Sequence, residues 1–328
     1  NSGVADAHNL AWKLACVLRG HAAQTLLDTY SDERRAATLD IFRQSAKSTR
    51  FMTPDTPGDA VMRDAVLALA VRHEFVRALI DPRQSVPYEY LASALNSFPA
   101  RACEFSGGVP NGAPLRNMRV RGAGPGRFLL DWLGDEFTVL LFVAGALSSA
   151  DEAGLREIVC EASGLRALVI ASATDSHEAS APHPRINYLH DTHDAARRFY
   201  DASRGAAYLV RPDGHVCARW RRLQPDEVLR ALRCALSIEA PPQPGSPVAA
   251  QESALERAYR ALVAGLDAEG AAHRADYLAR VVLLLVHELG AAQPALDAIE
   301  AARTPSLIEG DVTAPEDPRN ERTARSAS

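Results

Sequence analysis

Residues 206–220 read AAYLVRPDGHVCARW, and the fold of the middle of the chain turns on this stretch. Ala206–Val210 is an unbroken apolar and aromatic run, and residues 215–220 form a second short run suited to a strand. Between them stand Pro212, Asp213 and Gly214. Proline presets a turn φ, aspartate bonds to its own backbone and glycine accepts a positive φ, so an antiparallel hairpin is predicted. Upstream, residues 137–143 and 165–172 are further short strand-like runs, separated by a helical stretch over 149–162. Helices are predicted over 192–202 and 225–236, on either side of the hairpin. The order strand, helix, strand, helix, strand, strand, helix implies a sheet with a parallel start and an antiparallel finish.

Toward the N-terminus the periodicity becomes helical. Ala7, Leu10, Ala11, Leu14, Ala15 and Leu18 share one face over residues 4–18, and Gly20 stands where a left-handed cap is needed. A second helix is predicted over 28–50, with Asp32 and Glu33 ahead of Arg34 and Arg35, the charge order a helix dipole favours. After the breaker-rich 53–58, one long stripe passes through Met62, Val66, Leu69, His73, Val76 and Leu79 and ends before Pro82. Residues 1–98 are therefore expected to be almost wholly helical. Gly107, Gly108, Pro110, Gly112 and Pro114 mark a boundary after them.

Beyond the sheet, residues 241–247 read as a stiff Pro-rich linker. Leu255, Tyr259, Leu262 and Leu266 make one helical stripe, Tyr277, Val281, Leu284 and Leu285 another, and 295–302 a short third helix. Residues 304–328 have no periodicity and are expected to be disordered. The expected division is a helical segment 1–109, an α/β domain 110–238, a linker 239–250, a small helical domain 251–303 and a tail 304–328.

A chain of 328 residues exceeds what one core organises, and 47% apolar with 23% charged residues is ordinary for a folded protein. The net charge of -5 supplies no field that would draw the chain to nucleic acid or an anionic membrane. Lys13 and Lys47 are the only lysines, so the positive charge is almost all arginine. Cys16, Cys103, Cys160, Cys217 and Cys234 are scattered and form no C-x-x-C, which points to a reducing, cytoplasmic setting. No apolar run reaches the roughly 20 residues of a membrane span. The chain begins with Asn1 at a helix edge rather than with Met, so an upstream segment is expected.

The opening residues Asn1-Ser2-Gly3-Val4-Ala5-Asp6-Ala7-His8-Asn9-Leu10-Ala11-Trp12-Lys13-Leu14-Ala15 resemble the late flavin-contacting motif of FAD-dependent aromatic-ring monooxygenases of the phenol-hydroxylase-like family. Leu26-Leu27-Asp28-Thr29-Tyr30, followed by Glu33-Arg34-Arg35, resembles that family's next block. Residues 110–238 resemble its C-terminal thioredoxin-like domain, most closely at 128–141 and at Tyr208-Leu209-Val210-Arg211-Pro212-Asp213-Gly214-His215-Val216. The resemblance spans most of residues 1–238. It implies a helical remnant of an FAD-binding domain, then a thioredoxin-like α/β domain, then the small helical domain.

The resemblance also implies FAD as cofactor, NAD(P)H as co-substrate and dioxygen-dependent hydroxylation of a phenolic ring. The backbone amides of Asn1, Ser2, Gly3 and Val4 would face the isoalloxazine. A helix N-terminus has unpaired N–H groups at its positive end, suited to the negative charge of reduced flavin. Gly3 would let the backbone approach the ring. Read without the resemblance, Asn1 and Ser2 are N-caps, and Asp6 and Asn9 are surface polar residues. The chain lacks the G-x-G-x-x-G that opens such enzymes, so this piece alone is expected to be inactive. No catalytic residue is assigned. The thioredoxin-like domain is associated with subunit contacts in the family, which implies a homo-oligomer, and the other reading is a non-catalytic interaction or oligomerisation module.

A thiol enzyme would need a cysteine just after the first strand of the βαβ unit, where Ala144, Gly145 and Ala146 stand instead. Cys217, inside a strand, is read as a small core residue. His177, His183, His190 and His193 mingle with Asp175, Glu178, Asp191 and Asp194, but the spacing fits no metal-ligand pattern. Asp191 or Thr192 is expected to cap the following helix instead. His73 is read as a hydrogen-bonded core or interface residue, and Tyr88 and Tyr90 as a family-like segment that packing explains equally well.

Overall fold

One mixed sheet organises the middle of the chain. Its strands are β1 (Arg121–Gly122), β2 (Phe137–Phe142), β3 (Leu165–Ser172), β4 (Ile186–Asp191), β5 (Ala206–Val210) and β6 (Val216–Trp220), in the order β1-β4-β3-β2-β5-β6. The computed structural model describes residues 2–80, 86–97, 105–172, 183–239, 254–289 and 292–302. Strands β2, β3 and β4 are parallel, while β5 runs antiparallel to β2, and β6 to β5. The expected βαβ unit and closing hairpin are thus both present. Every residue of β2 and β5 is buried, because apolar side chains cover the sheet on both faces.

One core joins Val139, Leu141 and Val169 to Leu155 and Ile158 of α5 (Ser149–Glu161) and to Val228 and Leu232 of α7 (Pro225–Ala235). The other joins Leu140, Phe142, Leu168 and Ile170 to Tyr200 and Tyr208 and to Ala196 of α6 (Ala195–Phe199). Helix α1 (Ser2–Leu18) reaches the first core through Trp12, whose ring meets Phe137 edge-on at 5.5 Å between centroids. Such a pair contributes about 0.5–1.5 kcal/mol beyond its burial. Gly20 ends the turn after α1 at φ +73°, and His21 N–H donates to the Cys16 carbonyl at 2.8 Å.

By contacts the chain divides into two units, Asn1–Gln44 with Arg83–Gln251 and Ser45–Pro82 with Glu252–Ser328. This division sets 45–82 apart from residues 1–44, across the helical segment expected from sequence. In the first unit lie α1, the start of α2 (Asp28–Met52) and the sheet with its helices. In the second, α3 (Pro57–Ala70), α4 (Glu74–Ile80), α8 (Ala254–Ala268), α9 (Gly270–Leu289) and α10 (Ala292–Ala302) are helical, with Val66, Val76 and Leu79 buried against Phe51, Leu69 and Tyr259. Thr56 caps α3 by accepting from Asp59 N–H at 3.1 Å, and Pro57 fills its first position.

Four expectations are corrected. The stripe through His73 is two helices, since Val71–His73 form a turn in which Arg72 and His73 N–H both donate to the Leu69 carbonyl. The segment 86–97 carries no helix. The helix expected over 192–202 spans only Ala195–Phe199, and Asp191, not Thr192, caps it by accepting from Ala195 and Arg197 N–H. A strand, β4, stands where none was placed in the order, because INYLHD is half polar and lacks a clear strand pattern. The linker 241–247 and the tail 304–328 lie outside the described residues.

Candidate functional site

Helix α1 opens on an uncovered turn. A methyl group built on Gly3 would meet no atom within 4 Å, and Val4 is 73% exposed. No acidic residue occupies this first turn, so the positive end of the helix keeps its field. Asn1 lies outside the described residues, and of the four residues implied as cofactor contacts, Ser2, Gly3 and Val4 are placed here. Among the described residues, then, the Gly3 and Val4 side of this turn is left uncovered.

Behind the open turn, α1 is fixed by a buried ionic cluster. Glu33 of α2 accepts from Lys13 Nζ at 2.9 Å, Asn9 Nδ2 at 2.8 Å, and Arg211 Nη1 and Nη2 at 2.6 and 3.0 Å. Ser93 Oγ donates to its other face at 2.5 Å. Asp213, in the β5–β6 turn, accepts from Trp12 Nε1 at 3.0 Å, from Arg211 Nε at 3.0 Å and from Arg211 Nη2. The Arg211 guanidinium lies over the rings of Trp12 and Tyr90, 5.3 and 5.4 Å from their centroids. Lys13 and Arg211 are almost wholly buried, so two cations and two carboxylates share one dry site.

Pairing decides the ionisation of these groups. Burial alone would raise the Glu33 carboxyl, but Arg211 and Lys13 outweigh it and hold it at about 2. Asp213 is likewise pushed up by burial and brought down further by Arg211 and His215, to well below the carboxylate range. Burial lowers the Lys13 ammonium, and Glu33 offsets part of that while Arg211 adds to it. The arrangement is a structural clamp. It joins α1, α2, the segment at Ser93 and the β5–β6 turn, and its two carboxylates are held ionised at neutral pH.

Asn9 and Asp6, read as surface residues, belong to this apparatus. Asn9 is buried, and Asp6 accepts from Arg34 Nε at 2.6 Å. Tyr90 is also part of it, since its hydroxyl accepts from Arg34 Nη1 at 2.8 Å. Their recruitment depends on contacts across up to 204 positions, between Asn9 and Asp213. One signal was available: Lys13 is a charged residue inside the otherwise apolar run AWKLACVL.

Other candidates carry less. Cys217 is buried in β6 and its thiol is pushed up to about 12, first by desolvation. An alkylating reagent is expected to leave Cys217 unmodified in the native protein and to label it after unfolding, which mass spectrometry of the digested chain checks. Cys16 and Cys234 thiols are raised by burial as well. Cys160 Sγ lies 3.9 Å from His183 Nε2. Among the described residues no group of three potential ligands could hold a metal, and Cys103, Asp175, His177 and Glu178 lie outside them. His73 is half-buried in the turn between α3 and α4, not on a helical stripe. Among the described residues no helix is long and apolar enough to cross a membrane.

Comparison with known proteins bears on the same residues. A family model described as FAD binding domain matches residues 1–45, which include α1 and Glu33. A 4-methyl-5-nitrocatechol 5-monooxygenase from a Burkholderia species is 31% identical over 71% of this chain and 40% of its own length. A 3-(3-hydroxy-phenyl)propionate/3-hydroxycinnamic acid hydroxylase from Mycolicibacterium smegmatis is 28% identical over 65% of this chain and 37% of its own. The flavin-dependent monooxygenase PieE, solved with FAD and substrate, aligns over 72% of this chain and 44% of its own at 23% identity, with a TM-score of 0.49. The chain spans well under half the length of these relatives.

Proposed function

We propose, from the premise that this chain belongs to the FAD-dependent monooxygenase family, that the protein it represents hydroxylates a phenolic ring at the expense of NAD(P)H and dioxygen. The observation that carries the reading is the open first turn of α1 within the stretch matched as an FAD-binding domain. Backbone donors of Asn1, Ser2, Gly3 and Val4 are assigned to the pyrimidine edge of the isoalloxazine. When bound, the flavin supplies the hydride-accepting and oxygen-activating chemistry. The chain's own residues orient it: N–H groups at a positive helix end favour the ring's anionic form, and the clamp fixes the direction of that helix. The phenolic substrate class rests on the names of the two relatives.

The sheet domain is assigned a holding and assembly role, as a thioredoxin-like fold without thiol chemistry. Within the strands β2–β6 themselves the one cysteine is Cys217, a buried core thiol, while Cys160 lies in α5 and Cys234 in α7. Free thiols at Cys16, Cys160, Cys217 and Cys234 suit a reducing, cytoplasmic setting.

Magnitudes decide what these residues can do alone. A helix end contributes about 0.3–2 kcal/mol to an anion, whereas micromolar affinity requires about 8 kcal/mol. The 328-residue chain is therefore expected to purify colourless, and the product of the whole reading frame to purify yellow and to oxidise NAD(P)H faster with a phenol present. A colourless whole product would replace this reading with that of a non-catalytic interaction module.

A further inference from the structure

Resting on the flavin reading above, we propose that Arg34 and Tyr90 are positioning residues that tie the flavin-facing turn of α1 to strand β6. The tie is a continuous chain of hydrogen bonds. Val216 of β6 accepts from Gly112 N–H at 2.6 Å, and the Gly112 carbonyl accepts from Tyr90 N–H at 2.7 Å. Gly112 has φ +87°, and a Cβ there would stand 2.3 Å from the Tyr90 carbonyl oxygen, so this approach requires glycine. The Tyr90 ring is held between groups of the same hairpin, with the His215 ring at 4.6 Å and the Arg211 guanidinium at 5.4 Å.

From there the connection passes to the helix opening through one guanidinium. Arg34 Nη1 donates to the Tyr90 hydroxyl at 2.8 Å, Nε to Asp6 Oδ1 at 2.6 Å and Nη2 to Ser2 Oγ at 3.3 Å. Ser2 and Asp6 are four residues apart, hence on one face of α1. All three guanidinium nitrogens are used, one toward the sheet and two toward the opening turn. A lysine ammonium has the charge but not the planar fork that spans three partners. Misplacement of a cofactor-contacting turn by about 1 Å costs on the order of a hundredfold in rate, so such a brace has a catalytic consequence without touching the reacting atoms.

Two measurements on Tyr90→Phe, Asp6→Asn and Arg34→Lys test the brace. In the 328-residue chain, the backbone amides of residues 6–9, which donate to the carbonyls of the opening turn of α1, are expected to exchange about tenfold faster in each variant than in wild type. Arg35→Lys, at an exposed neighbour, should change nothing. In the product of the whole reading frame, the same three variants are expected to bind FAD about tenfold more weakly and to shift the reduction potential of bound flavin, an effect that a merely structural residue would not produce. Wild-type exchange at the amides of residues 6–9 together with wild-type flavin potential in Tyr90→Phe and Asp6→Asn overturns the brace while leaving the flavin reading intact. A wild-type product that binds no FAD overturns both.

Discussion

Replacing Glu33 by Gln is expected to destabilise the sheet-bearing unit by about 3–5 kcal/mol, the range for breaking a buried ion pair from one side. The cause is specific. Glu33 accepts from Lys13, Asn9, Ser93 and twice from Arg211, and an amide in its place offers one acceptor and turns its NH2 donors toward these donors. Lys13 then stays buried with no carboxylate of its own, and against a total of about 5–15 kcal/mol that is a large fraction. Asp32→Ala, one residue away and exposed, should stay within about 0.5 kcal/mol of wild type. Adding Lys13→Met to Glu33→Gln removes the orphaned ammonium and should recover part of the loss, a coupling that urea titrations of wild type, Lys13→Met, Glu33→Gln and the double variant measure. If the double variant is no more stable than Glu33→Gln alone, the cost lies in packing and the ionic account is wrong.

The parts of the fold legible in sequence were those with uniform burial. Strands β3 and β5 fall at the expected bounds because all their residues but Arg166 are buried and most are apolar, so no register or alternation had to be inferred. Strand β4 was obscured because Asn187, Tyr188 and His190 dilute its pattern, although it pairs with β3 along its whole length. The stripe from Met62 to Leu79 looked continuous because a three-residue turn changes the phase of a helical pattern very little. The ionic cluster was hidden for another reason. Glu33, Arg34, Arg211 and Asp213 were all visible, the first two as a helix charge pattern and Asp213 as a turn signal, since each suits its local structure. What makes them a clamp is that strand β5 delivers Arg211 beneath Trp12, which local pattern does not encode.

Between about pH 5 and about pH 2 the same unit is expected to lose stability more steeply than exposed carboxylates can explain. Glu33 falls from an ordinary 4.5 to about 2 in the folded chain, and Asp213 lies below its usual 3.8. Both folded values are depressed, so their contribution is complete above the unfolded values and disappears as pH falls toward the folded ones. The gap at Glu33 corresponds to about 3 kcal/mol, and Asp213 adds to it because the folded state keeps that carboxylate ionised while the unfolded state takes up a proton. Exposed pairs such as Arg19–Asp135, with its 3.8 Å separation, contribute at most about 1 kcal/mol and are screened by salt, whereas the buried cluster is not. Urea titrations across this range, in low and high salt, should show a slope of nearly two protons that salt hardly alters. The Lys13→Met, Glu33→Gln double variant retains only Asp213 and should lose about one of the two. Equal slopes in the two proteins would mean that Glu33 titrates alike folded and unfolded, and the clamp would then not be what holds α1 against the sheet.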